Sequence, residues 1–215
     1  MKVALVGASG FVGKAVLKEL LQKGHQVTAI VLDLKNLGIQ NGLSLVEGDV
    51  TDVETFADSI KGNDAIISAF NAGWTNPNLY ADFIKGSVAI QSAVKKAGIK
   101  RLLVSGGAGS LFIGDQQLVD LPQFPAEWRT GALAARDYLN ILKEETELDW
   151  VFISPAMEMH PGTSGIRKGA YRKGSDSPVF DEDGRSIISV EDLAVAIVDE
   201  LEEQEHSRQR FTVGY

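Results

Sequence analysis

Residues 2–33, KVALVGASGFVGKAVLKELLQKGHQVTAIVLD, change from a short apolar, β-branched run to a helical periodicity across three glycines. A strand, a tight turn, an amphipathic helix and a second strand satisfy that change. Lys2 to Val6 reads as the strand, and Val12, Val16, Leu17, Leu20 and Leu21 form the buried stripe of the helix, which stops at Gly24. The glycines have separate tasks in such a turn. Gly7 takes backbone angles closed to other residues, Gly10 lets an anionic group approach the main chain, and Gly13 lets helix close on strand. Free N–H groups and the helix dipole then favour an anion without a lysine. A glycine turn alone is weak evidence, but one set between a strand and a helix, with a second strand ending in an acid, is the context of dinucleotide binding.

The chain of 215 residues is expected to form one domain, 1–215, with 155–190 as a substrate-side segment. It has no cysteine, which excludes disulfides, thiolate metal sites and cysteine nucleophiles. His25, His160 and His206 lie far apart, without short metal-ligand spacing, so no metal is expected. Strand one begins at the first residues and no apolar run approaches membrane-spanning length, so a cytoplasmic protein is expected. A net charge of −8 opposes nucleic acid or anionic membrane as partner. Glu191, Asp192, Asp199, Glu200, Glu202, Glu203 and Glu205 crowd one segment in the manner of a solvated helix face.

Strands are expected at 43–47, 64–68, 101–105, 150–154 and 210–213, and helices at 53–61, 76–97, 128–145 and from about 190. That alternation predicts an α/β fold: a Rossmann-type, doubly wound parallel sheet with a small C-terminal extension on the substrate side. Residues 106–127 form a long glycine-rich connection leaving the carboxyl end of a strand, where ligands sit in open α/β sheets. A second irregular stretch from Pro155 carries Met157, Met159, His160, Arg167 and Tyr171, followed by a hairpin at Asp183-Gly184.

The glycine turn GASGFVG is joined by GDVTD at 48–52, DAIISAF at 64–70, VSGGAGSLF at 104–112, LDWVFISP at 148–155 and ISVEDLA at 188–194. Over nearly the whole chain these resemble the atypical short-chain dehydrogenase/reductases of the NADH-flavin reductase type, close to the NAD-dependent epimerase/dehydratase and NmrA-like groups. The resemblance implies that Gly7, Ser9, Gly10, Phe11 and Val12 line a pyrophosphate and that Asp49 and Val50 flank an adenine. Ala69, Phe70 and Asn71 would run beneath the ribose and nicotinamide half, with Ser105 and Gly106 nearby. Pro155, Ala156 and Met157 would close over the nicotinamide. For each apolar member of this set the alternative is plain core packing.

Two departures from the family pattern matter. Where many relatives carry an arginine for the 2′-phosphate of NADP, this chain has Leu32. Asp33 stands twenty residues past Gly13, where an acid would bond ribose hydroxyls and repel a 2′-phosphate; the epimerases place that acid nearer Val31, so simple solvation of Asp33 is the alternative. Lys35 could still serve a phosphate. NAD(H) is thus favoured over NADP(H).

The second departure is catalytic. Most short-chain dehydrogenases use a tyrosine and a lysine four residues apart on one helix, the lysine lowering the phenol's pKa. Here Tyr138 precedes Leu142, with Lys143 one residue too far, and neither Tyr80 with Ile84 nor Tyr171 with Ser175 restores the pair. Ser154 replaces an arginine often found before the proline of that strand. This argues against alcohol oxidation and sugar epimerisation, which need a positioned acid/base. It leaves open reduction of a flavin such as FMN, which accepts hydride directly while solvent supplies protons. Trp74, Phe112, Trp128, Met157 and Met159 are candidate walls for such an acceptor, or ordinary packing. Ser105 is a candidate to orient a carbonyl or amide, and Ser110 a second polar contact. His160 is a candidate proton donor, although a lone loop histidine is more often surface-exposed. An NAD(P)H-dependent reductase of a small molecule leads, a nucleotide sensor of NmrA type acting through a partner protein is the alternative, and a strict epimerase/dehydratase comes last. The sequence does not choose between monomer and homodimer.

Overall fold

The computed structural model describes every residue except Lys35, Asn36 and Ile39. Its elements run β1 Lys2–Val6, α1 Phe11–Gln22, β2 Gln26–Val31, β3 Leu43–Glu47, α2 Val53–Ile60, β4 Ala65–Ser68, α3 Leu79–Lys96 and β5 Arg101–Ser105. They continue with β6 Phe112–Ile113, β7 Gln116–Gln117, α4 Ala126–Lys143, β8 Asp149–Ser154, β9 Arg172–Gly174, α5 Val190–Glu203 and β10 Gln209–Gly214. The main sheet has the order β3-β2-β1-β4-β5-β8-β10-β9, parallel throughout except for β9, which pairs antiparallel with β10 at the edge. This is a Rossmann-like α/β fold.

Both faces of the sheet are covered, which explains why β1, β4 and β8 are apolar runs rather than alternating ones. Alternate residues serve different cores. Leu5, Ile67, Val151 and Ile153 pack with Val16 and Leu20 of α1 and Leu193 and Ile197 of α5. Ile66, Leu102, Val104 and Phe152 pack with Phe56 of α2, Ile90 of α3 and Tyr138 and Leu142 of α4. The helix stripe expected in α1 is present, with Val16, Leu17 and Leu20 buried and Val12 and Leu21 half-buried.

Three local expectations are corrected. The hairpin at Asp183-Gly184 is a single turn, closed by the Gly184 N–H donating to Asp181 O at 3.1 Å, with no named strand on either side. Residues 106–127 are more ordered than a bare loop: they hold the β6–β7 ribbon and two short 3-10 turns. Arg129 of α4 fastens them, donating to the carbonyls of Val119, Leu121 and Phe124 at 2.7, 3.2 and 3.2 Å. Strand β9 was not expected, because Arg172–Gly174 lacks β-branched residues and owes its pairing to the last strand.

At the amino end of the sheet, the buried Glu200 carboxylate lies 2.6 Å from Arg101 Nη2 and 2.6 Å from His206 Nδ1. Among the described residues Glu200, Glu205 and His206 have the proximity of a metal site. The Arg101 guanidinium already satisfies Glu200 there, so the cluster reads as a buried ion pair. Among the described residues no helix is long and apolar enough to cross a membrane.

Candidate functional site

β1 lies between β2 and β4, so the chain's connections leave in opposite directions there and a crevice opens at the carboxyl ends of β1 and β4. Gly7 ends β1 with φ +77°. A Cβ on it would stand 2.4 Å from Ala69 O, and the Ala69 N–H donates to Val6 O at 3.0 Å, so the backbones leaving the two strands touch. A Cβ at Gly13 would stand 2.0 Å from Gly7 O, which leaves α1 no room for a side chain against the turn.

Gly10 differs from both. It is exposed, with φ −77°, and a Cβ would meet only Gly7 O at 3.3 Å. It is the N-cap of α1, where no side chain caps the helix and no acid stands in the first turn. The first-turn N–H groups are left for an outside anion, with the dipole's positive end behind them. These residues fit the pyrophosphate of a dinucleotide: two glycines shape the turn and the third keeps its mouth open. Ser9 and Val12 are half-buried beside it, and Phe11 is 42% exposed on the rim.

Toward the expected adenine end, Asp49 is exposed and its Oδ1 accepts from the Thr51 amide and hydroxyl, each at 2.8 Å. Those two bonds hold its carboxyl below the usual range. Val50 is buried in the core beneath α2 and α3, so only its backbone can face a ligand. Leu32, just past β2, is 77% exposed, and Asp33 beside it is exposed. Lys35 lies outside the described residues.

At the other end, Asn71 is exposed and its Oδ1 accepts the Gly73 N–H at 2.7 Å, turning the chain after β4. The ring of Phe70 is half-buried. It lies on α3, where a Cβ at Gly86 would come within 2.4 Å of Cζ, and its centroid is 5.9 Å from that of Phe83. Trp74, four residues on, rests in the same way on Gly131 of α4. A glycine inside a helix costs about 1 kcal/mol relative to alanine. The two mid-helix glycines are visible in the sequence as a signal of close packing, but which ring each receives is decided by the fold.

Ser105 is half-buried at the end of β5, and among the described residues its hydroxyl has no hydrogen-bond partner. Pro155 and Ala156 are buried at the end of β8, while Met157 is 44% exposed. The remaining candidates are held elsewhere. Ser110 is buried, and its Oγ accepts from Arg210 Nη1 at 3.2 Å, with Arg210 also paired to Asp176. Met159 packs against the core shared by α1 and α5. The His160 Nδ1 accepts the Gly162 N–H at 3.1 Å and caps a short turn. Phe112 is half-buried in β6, its N–H donating to Asp176 O at 2.8 Å.

Sequence reasoning did not assign the fastening of the segment after Pro155. Asp192, fully buried in the first turn of α5, accepts from the Lys168 and Gly169 amides at 3.0 and 2.7 Å and from the Tyr215 hydroxyl at 2.5 Å. Arg167 makes a two-pronged pair with the buried Glu19 of α1 at 2.9 and 2.8 Å. The expectation of a solvated acidic face fails for Asp192 and Glu200, both fully buried: Glu200 pairs with Arg101, and Asp192 anchors the segment through its donors.

Tyr138 is buried, its ring edge-on to Phe83 at 6.4 Å. Burial, with the nearby Glu145 charge, pushes its phenol well above the ordinary range. A groove of about 440 Å³ lined by Lys2, Gln26, Thr28, Lys61 and Asn63 opens at the amino ends of the strands. It lies at the opposite end of β1 from the glycine turn, and the crevice at the carboxyl ends better matches where α/β sheets bind ligands.

The family model described as NAD(P)H-binding matches residues 7–204. YwnB of Bacillus subtilis, a protein of uncharacterised activity, is 39% identical over 216 residues, covering 99% of this chain and 98% of its own. A provisionally named epimerase of Bacteroides thetaiotaomicron is 45% identical and superposes with a TM-score of 0.91, covering 100% of this chain and 96% of that one. A provisionally named NADH-flavin reductase of Streptococcus pneumoniae is 35% identical with a TM-score of 0.87, covering 100% and 99%. With its glycine turn, its strand order and a match over nearly its whole length, the chain belongs to the NAD(P)H-binding family of atypical short-chain dehydrogenase/reductase-like proteins.

Proposed function

We propose that this protein is an NAD(P)H-dependent reductase that passes hydride to a flavin or another flat, conjugated small molecule. The observation that carries this reading is an open dinucleotide crevice beside a helix that offers no reachable phenol: Tyr138 is buried and has Leu142, not lysine, four residues on. Reduced nicotinamide, when bound, supplies the hydride. The protein's part is to hold and to exclude water. The α1 N-terminus and Gly10 receive the pyrophosphate, Ser105 orients an amide or carbonyl, and Pro155, Ala156 and Met157 wall the nicotinamide. The name of the Streptococcus pneumoniae relative supports the reaction class. Exposed Leu32 and Asp33 after β2, with no arginine at either position, support NAD(H) over NADP(H).

Titration with NADH and separately NADPH, followed by addition of FMN to the complex, tests this. Tighter binding of NADH and consumption of its fluorescence faster than in a protein-free control are expected. Tight binding with no turnover would move the assignment to a nucleotide sensor. Tyr138→Phe is expected to leave the rate of NADH oxidation within about twofold of the parent, since the buried phenol reaches no substrate. A loss of roughly a hundredfold, the scale of a removed general acid, would restore a catalytic tyrosine.

A further inference from the structure

Gly131 stands inside α4, where the helix would be better served by alanine. The position provides a seat: a Cβ there would lie 2.7 Å from Cζ3 and 3.1 Å from Cη2 of Trp74, with Leu79 Cδ2 at 3.4 Å. The indole comes from the connection leaving β4 and rests on the helix that follows β5, so it bridges the exits of two adjacent strands. One edge is held against the helix, yet 61% of the residue is exposed. Trp128, 46% exposed, lies one turn before Gly131 on α4. The neighbouring cation Arg129 is occupied by the carbonyls of residues 119, 121 and 124. The result is an exposed aromatic surface, one edge of which rests on the helix before a ligand arrives.

We infer that Trp74, seated on Gly131, is the stacking face for the ring of the electron acceptor, and that the missing side chain at Gly131 sets the width available to it. This rests on the reductase reading and names its acceptor class: a planar, conjugated, multi-ring molecule recognised by its π-face rather than by its charge. A Cβ at Gly131 meets only the far end of the Trp74 and Leu79 side chains, so alanine would swing the indole rather than deform α4.

The test uses Trp128→Phe as parent, which leaves Trp74 and the buried Trp150 as the indoles. Riboflavin is titrated with and without NAD+ while quenching of its own fluorescence is followed, a signal present in every variant, and NADH affinity and Tm are measured alongside. Saturable quenching is expected in the parent, weakened roughly tenfold or more in Gly131→Ala and in Trp74→Ala, with NADH affinity within about twofold of the parent in both. Tm of Gly131→Ala should stay level or rise by ~2–4 °C. Riboflavin affinity unchanged in either variant, or no saturable quenching in the parent under either condition, would overturn the inference. Failure of the parent to bind NADH would instead remove the reductase reading, while riboflavin binding that depends on Trp74 without nicotinamide would still uphold the stacking face.

Discussion

Gly10→Val is expected to weaken NADH binding by roughly a hundredfold or more, about 2.7 kcal/mol, in a protein that still folds. The two parts of this expectation come from separate features of one position. A side chain at Gly10 points into open space and meets only Gly7 O at 3.3 Å, so the turn and the start of α1 survive it. The fold loses about 1 kcal/mol, because valine is a poorer N-cap than glycine, which corresponds to a Tm lower by ~2–4 °C. That same open space is where the pyrophosphate must approach the first-turn N–H groups, and valine would fill it. Gly13→Ala is the contrasting case. Its Cβ would stand 2.0 Å from Gly7 O and 2.9 Å from Ala8 Cα, so stability and binding should fall together. Calorimetric or fluorescence titration with NADH, paired with a thermal melt, separates the two variants. Parental NADH affinity in a folded Gly10→Val protein would remove the pyrophosphate from this turn.

Asp192→Ala should cost roughly 3–5 kcal/mol of stability, corresponding to a Tm lower by about 6–20 °C. The side chain is fully buried, and four donors converge on its carboxylate: the Tyr215 hydroxyl at 2.5 Å, the Gly169 and Lys168 amides at 2.7 and 3.0 Å, and the Ser189 hydroxyl at 3.2 Å. Alanine would leave these donors without their acceptor, which is dearer than never having had the bond. Tyr215→Phe removes one of the four and should cost only about 1–2 kcal/mol. Because Lys168 and Gly169 belong to the segment after β8, amide exchange there should speed up in Asp192→Ala before α5 itself opens. Denaturant melts read the size of the effect, and a change below about 1 kcal/mol would show that the carboxylate does not fasten the segment.

The sequence by itself determined the fold class, because strand and helix periods are local properties. An apolar run of β-branched residues and an i, i+3, i+4 stripe each declare which face must be buried, whatever lies opposite. The glycine turn was legible for the same reason in part: Gly10 and Gly13 act on backbone within a few residues of themselves, whereas the neighbour that forbids a side chain at Gly7 is Ala69 O, brought there by the pairing of β1 with β4. The missing dyad was legible too, since Tyr138 and Leu142 share one helix. Tertiary structure decided which side chains at the strand exits face the crevice. Phe70 finds its place at Gly86 and Trp74 at Gly131, Ser110 is claimed by Arg210, Met159 by the α1–α5 core, and Arg167 by Glu19. Each outcome depends on volume or charge on another element, often far along the chain, and a hydrophobic pattern records that a residue is to be buried without recording against what. The burial of Asp192 belongs to the same class: its place in the first turn of α5 and its contact with the Ser189 cap follow from local rules, but its other donors come from two parts of the chain, 168–169 and Tyr215, that only the fold brings together.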